Sequence, residues 1–163
     1  MRVYFLRHGI AVEPDEWDGR DFDRPLTREG VARMEREAKA IEDLSLDLDV
    51  IVTSPLLRAR QTAEIVASRL KMRDGLVTDD RLAGGFDAKN CAAILADHSD
   101  AQTLMLVGHE PAFSLVVGKL AGDANVELKK GALAGIELAA PSSLRGALLC
   151  LIPPKVLAAL GKA

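Results

Sequence analysis

Three short apolar runs constrain what this chain can fold into. Val3–Leu6, Val50–Val52 and Thr103–Val107 contain no charged residue and show no apolar–polar alternation. Strands of that kind are covered on both faces, as in a parallel sheet flanked by helices. Helical spacing fills the segments between them. Val31, Met34, Ala38 and Ile41 mark one stripe, with Thr27 as N-cap and Leu26 and Val31 placed for a hydrophobic staple. After the second run, Ser54–Pro55 reads as an N-cap followed by proline at the first helical position, and Ala59, Ala63, Val66 and Leu70 form the buried stripe. Leu76–Thr78 is expected as a short strand, Ala88–His98 as a helix, and Pro111 as the start of another helix ending near Leu120.

Two strands are expected near the end of the chain, at Ala134–Leu138 and Ala147–Ile152. No helix lies between them, so they are expected to be antiparallel. Pro153 and Pro154 end the last strand, and a short terminal helix follows. This order predicts an α/β fold, a three-layer α/β/α sandwich with a mostly parallel central sheet. With no repeat or linker, the 163 residues read as a single domain, 1–163. Gly9–Leu26 is acid-rich and broken by Pro14, Gly19 and Pro25. An aperiodic stretch of that length is either functional or mobile.

Composition excludes several classes of function. The net charge of −3 argues against a nucleic-acid partner or a basic membrane surface, so positive charge at any anion site must be local. No apolar stretch reaches the roughly 18 residues needed to span a bilayer. The start, MRVYFLRHG, lacks the features of a signal peptide, so a cytoplasmic protein is expected. Cys91 and Cys150 are far apart and show no metal-type spacing. Both are expected to be structural or incidental, Cys150 as a core residue and Cys91 on a helix face. No metal or cofactor is expected.

Polar chemistry collects directly after the three runs. The first leads into Arg7-His8-Gly9, the second into Ser54-Pro55 with Arg58 one turn on, and the third into Gly108-His109-Glu110-Pro111. Parallel strands bring their carboxyl ends to one edge, where open α/β sheets bind ligands. Two histidines and two arginines should therefore meet there. Gly9 and Gly108 permit close backbone approach, and helix starts at Ser54 and Glu110 would offer free N–H groups. Two guanidiniums suit a phosphoryl group, and a neutral imidazole is a competent nucleophile toward it. Arginines and a second histidine can neutralise the phosphoryl oxygens without a metal. No P-loop motif is present. A lone histidine is more often structural, and His98, at the end of its expected helix, receives no role.

LRHG at Leu6–Gly9, SPLLRARQTA at Ser54–Ala63 and VGHEP at Val107–Pro111, in that order, resemble the signatures of the histidine phosphatase superfamily, whose fold is phosphoglycerate mutase-like. RPLTREG at Arg24–Gly30 and the Pro-Pro-Lys-Val-Leu ending resemble its SixA branch of phosphohistidine phosphatases. The resemblance implies that His8 is the nucleophile and carries a phosphohistidine intermediate. It further implies that Arg7, Arg58 and His109 form the phosphate pocket, and Gly9 is expected to bind the substrate with them. The implied partner is a phosphorylated protein or a small phosphorylated molecule.

One departure matters. Many members of the superfamily carry a glutamate proton donor after a leucine in mid-chain, but the corresponding stretch here is Asp80-Arg81-Leu82-Ala83-Gly84-Gly85. An alkoxide leaving group needs a proton, so this weakens an assignment as a mutase or an alkyl-ester phosphatase. Glu110 and the loop acids Asp18, Asp21 and Asp23 are substitute candidates, each with a plainer reading as a helix-start or solvated carboxylate. Three functions stay open: a phosphohistidine phosphatase, a small-metabolite phosphatase, and a non-catalytic phosphoryl-binding module.

Overall fold

The computed structural model describes residues 1–162. Six strands form one sheet: β1 (Arg2–Arg7), β2 (Val50–Thr53), β3 (Leu76–Thr78), β4 (Thr103–Gly108), β5 (Leu133–Leu138) and β6 (Gly146–Ile152). Five helices accompany them: α1 (Arg28–Asp43), α2 (Leu57–Arg69), α3 (Ala88–Asp97), α4 (Ala112–Leu120) and α5 (Pro154–Leu160). The strand order is β3-β2-β4-β1-β5-β6. The first four strands are mutually parallel, while β5 runs antiparallel to both β1 and β6.

Strand alternation divides the core. On β1, Val3 and Phe5 face the layer holding Ile94 and Leu95 of α3 and Phe113, Val116 and Val117 of α4. Tyr4 and Leu6 face the opposite layer, with Met34 and Ile41 of α1, Ala59, Ala63 and Val66 of α2, and Leu157 of α5. A fully buried side chain of this size contributes about 1.5–3 kcal/mol. Two-sided burial of β1 and β4 therefore explains why their sequences show no polar alternation.

Thr27 caps α1 as expected, its Oγ1 accepting from the Gly30 amide at 2.9 Å. Leu26 and Val31 both join the core layer beneath that helix. Ser54 departs from expectation. The helix after β2 begins at Leu57 with Leu56 as its N-cap, so Ser54 and Pro55 precede the helix rather than opening it. Cys91 is buried as expected, and burial pushes its thiol up to about 12. Cys150 is only half-buried, because β6 is an edge strand, although it still packs on the α1 layer.

Gly9–Leu26 is an organised loop. Turns of 3-10 helix occupy Pro14–Glu16 and Asp21–Asp23. Its base is closed by an Ala11–Leu26 bridge and by the Thr27 amide donating to the Ile10 carbonyl at 2.9 Å.

Candidate active site

The site follows from strand register. β4 lies between β1 and β2, with Arg7 opposite Gly108 and Thr53 opposite Val107. The residues just past the three strand ends are therefore neighbours. The His8 amide donates to the Gly108 carbonyl at 3.0 Å, and the Ser54 amide donates to the Val107 carbonyl at 2.9 Å. The His8 and His109 rings lie 5.2 Å apart between centroids.

His8 is 6% exposed. Its Nδ1 sits 2.8 Å from the Gly9 carbonyl oxygen. That oxygen can only accept, so Nδ1 carries the proton and Nε2 keeps a free lone pair. Burial pushes the His8 pKa down to about 3; the Gly9 hydrogen bond opposes this, while positive charge on His109, Arg58 and Arg7 adds to it. His8 is thus a neutral imidazole with a defined tautomer across the physiological range.

Gly9 is engaged through both backbone groups. Its carbonyl accepts from His8, and its amide donates to Thr62 Oγ1 at 3.0 Å. Thr62 donates in turn to the Arg58 carbonyl at 2.8 Å, linking α2 to the end of β1. A Cβ at Gly9 would meet Met34 Cγ at 2.7 Å, and one at Gly108 would meet the Phe113 ring at 2.7 Å. Core packing therefore demands glycine at both positions.

His109 Nε2 lies 2.7 Å from Ser54 Oγ, which also accepts from the Leu56 amide at 3.3 Å. The Ser54 hydroxyl can donate to Nε2 or accept from Nε2–H, so this contact positions the ring in either tautomer. Burial pushes the His109 pKa down to about 4, with Arg58 reinforcing the shift and Asp21 opposing it.

Arg7 Nη1 donates to the Leu128 carbonyl at 2.9 Å. Arg58 Nη1 donates to the Asp21 carbonyl at 2.9 Å, and Nη2 pairs with Asp21 Oδ2 at 3.1 Å. Both guanidiniums stay cationic, although burial lowers each pKa. Arg7 Nε, Arg58 Nε and His109 Nδ1 are buried without a hydrogen-bond partner among the described residues. Buried polar nitrogens of this kind normally find a partner. All three belong to the groups around His8, and an oxyanion would satisfy the two guanidinium N–H groups and His109 Nδ1 in its protonated form.

The candidate acids separate. Glu110 Oε1 accepts from the Ser114 amide at 3.1 Å, so its carboxylate binds the first turn of α4. Asp23 pairs with Arg20 on the surface. Asp21 contacts the cluster, because it holds both Arg58 and Arg24. Burial opposes its ionisation, yet hydrogen bonds and charge from the two arginines outweigh this and hold Asp21 below its ordinary value. It is therefore an ionised anchor for Arg58. At the position of the missing glutamate, Leu82 is buried and Gly84 and Gly85 are exposed, while Arg81 bridges Asp79 and Asp97.

Ser54, Thr62 and Asp21 shape the site without having been singled out for these contacts. The only sequence signal for the first two was their place inside SPLLRARQTA. Among the described residues, no group of three or more His, Cys, Asp or Glu is placed to hold a metal, and no helix is long and apolar enough to cross a membrane.

A model of the histidine phosphatase superfamily (branch 1) matches residues 3–84, half of the chain. The chain belongs to that superfamily. The matched part of the chain includes His8, Arg58 and the Gly9–Leu26 loop. An uncharacterized protein of Picosynechococcus sp. is 50% identical over 68 residues, covering 42% of this chain and 41% of that protein. Among solved structures, the protein histidine phosphatase SixA complexed with tungstate matches with a TM-score of 0.84 at 24% identity, over 95% of this chain and 98% of that one. A protein of Agrobacterium tumefaciens assigned as the phosphohistidine phosphatase SixA matches at 0.78 and 25% identity, over 94% and 98% of the two chains. The alpha-ribazole phosphatase of Shigella flexneri shares the fold at 0.74 and 17% identity, over 94% and 97%. The mostly parallel α/β sandwich is thus the superfamily's fold, and the kinship supports phosphatase activity.

Proposed function

We propose that this histidine phosphatase removes the phosphoryl group from a phosphohistidine on a protein, without a metal, through a covalent intermediate on His8. One observation carries the reading: a neutral, tautomer-defined imidazole sits among buried nitrogens of Arg7, Arg58 and His109 that have no hydrogen-bond partner among the described residues. The Nε2 lone pair of His8 attacks phosphorus, and the phosphorus–nitrogen bond of the substrate breaks. When the substrate ring carries a proton on its other nitrogen, it leaves as neutral imidazole. Water then attacks phosphorus, the electron pair of the second phosphorus–nitrogen bond returns to Nε2, and one water proton passes to solvent. The Arg7 and Arg58 guanidiniums balance the charge on the phosphoryl oxygens throughout, and His109 adds a hydrogen bond to them. Gly9 acts by orienting His8 rather than by donating to substrate.

Substrate choice follows from the acids. Asp21 is held ionised by arginines and Glu110 is tied to α4, so neither is set to protonate a departing alkoxide. A neutral imidazole needs no such help. Quenching with labelled substrate under acid-free conditions should trap phosphate on His8, and His8→Ala should abolish turnover. Phosphohistidine and aryl phosphates should exceed serine or sugar phosphates in kcat/KM, with activity surviving chelators. Equal turnover of alkyl phosphates would favour a small-metabolite phosphatase, and absent turnover of every substrate would favour a binding module.

A further inference from the structure

Beside the candidate site lies a groove of about 520 Å³ in which Arg7 forms one wall. Arg33, Lys129, Lys130 and Lys155 also line it, and among the described residues Glu127 is its only carboxylate. Two of these cations have partners: Lys130 pairs with Glu13 and Arg33 with Glu37. Lys129 and Lys155 are exposed and form no ion pair among the described residues. Such a concentration of positive charge is unexpected on a chain whose net charge is −3.

The groove is tied structurally to the phosphoryl pocket. The Leu128 carbonyl receives Arg7 Nη1, and the Leu128 amide donates to Ser114 Oγ at 2.9 Å. The Gly131 amide donates to the Arg7 and His8 carbonyls, both at 3.1 Å. Lys129 and Lys130 therefore sit on a segment fastened at both ends to the site, and Pro153–Pro154 hold Lys155 at the start of α5.

We propose that this groove binds carboxylate side chains flanking the phosphohistidine of a protein substrate, so that the enzyme selects acidic surroundings; this rests on the function proposed above. The chemistry favours side-chain carboxylates over a second phosphoryl group. The unpaired cations are exposed lysines on separate segments. A built phosphate site would instead present buried guanidinium forks. Exposed complementary charge of this kind selects partners and speeds their encounter.

The experiment compares native enzyme with a Lys129→Gln/Lys155→Gln variant. Two phosphohistidine peptides, one flanked by glutamates and one by glutamines, are substrates, and an aryl phosphate is the control. Native enzyme should prefer the acidic peptide by about tenfold in kcat/KM, on the scale of two exposed ion pairs. The variant should lose that preference and keep its aryl phosphate turnover. Equal use of both peptides by native enzyme overturns the inference and leaves the function standing. Turnover of aryl phosphate but of neither peptide defeats the function instead, and the groove is then judged by competition. Unphosphorylated hexaglutamate should inhibit aryl phosphate turnover competitively in native enzyme and more weakly in the variant. Equal inhibition of both enzymes, or stronger variant-sensitive inhibition by a small bisphosphate, overturns the carboxylate reading.

Discussion

Replacing Glu37 by glutamine should stabilise the protein above neutral pH. Glu37 projects from α1 with a fully buried carboxylate. Its Oε1 accepts from Arg33 Nε at 2.9 Å, and Oε2 is buried without a partner. Burial pushes the pKa from 4.5 up to about 7, against the hydrogen bond and charge of Arg33 and the charge of Arg36. At about 1.4 kcal/mol per pH unit, that rise corresponds to about 3 kcal/mol. The folded carboxyl holds its proton more tightly than the unfolded one. Its contribution to stability is therefore fully present below pH 4.5 and lost as pH rises through 7. Glutamine cannot ionise, and its Oε1 can still accept from Arg33. Urea unfolding of both proteins, followed by circular dichroism from pH 4.5 to 8.5, should show the variant gaining about 3 kcal/mol on the native protein over that range. A difference that stays constant with pH would refute the assignment of a buried, protonatable carboxyl. Glu37 also lies under Gly131, whose φ is +83° and where a Cβ would collide with this carboxylate. Because glutamine has the same shape, turnover should be little changed.

Three further outcomes are expected. In the free enzyme, the ring signals of His8 and His109 should stay flat by NMR from pH 8 down to 5, given pKa values near 3 and 4; a midpoint near 6.5 in either would contradict the buried, neutral site. Arg58→Ala should lower kcat/KM on an aryl phosphate by about 10²-fold or more, the scale of one lost oxyanion donor, and an unchanged value would remove Arg58 from the pocket. Ser54→Ala leaves His109 Nε2 without its partner and should cost about tenfold in kcat/KM; a loss as complete as that of His8→Ala would show that Ser54 does more than position the ring.

Local pattern made much of this protein legible. The uncharged runs at Val3–Leu6 and Leu104–Val107 announce strands covered on both faces, and Thr27 with its 3.6-residue stripe announces α1. The residues directly after the strands follow from chain order alone, so His8, Arg58 and His109 could be named as a group. Lateral order is a different matter. Nothing local says that β4 inserts between β1 and β2, yet that insertion places His109 next to both His8 and Ser54. Ser54 shows the difference most clearly. Ser-Pro before an apolar stripe has the local signature of a helix start. The helix begins at Leu57 instead, and the serine hydroxyl turns to a histidine 55 residues away. The same holds for Asp21, one of three similar loop acids until folding sets it against Arg58 across 37 residues. Propensity and periodicity act within a few residues. The partners of a buried polar group are chosen by strand order, register and loop closure, which depend on packing throughout the chain.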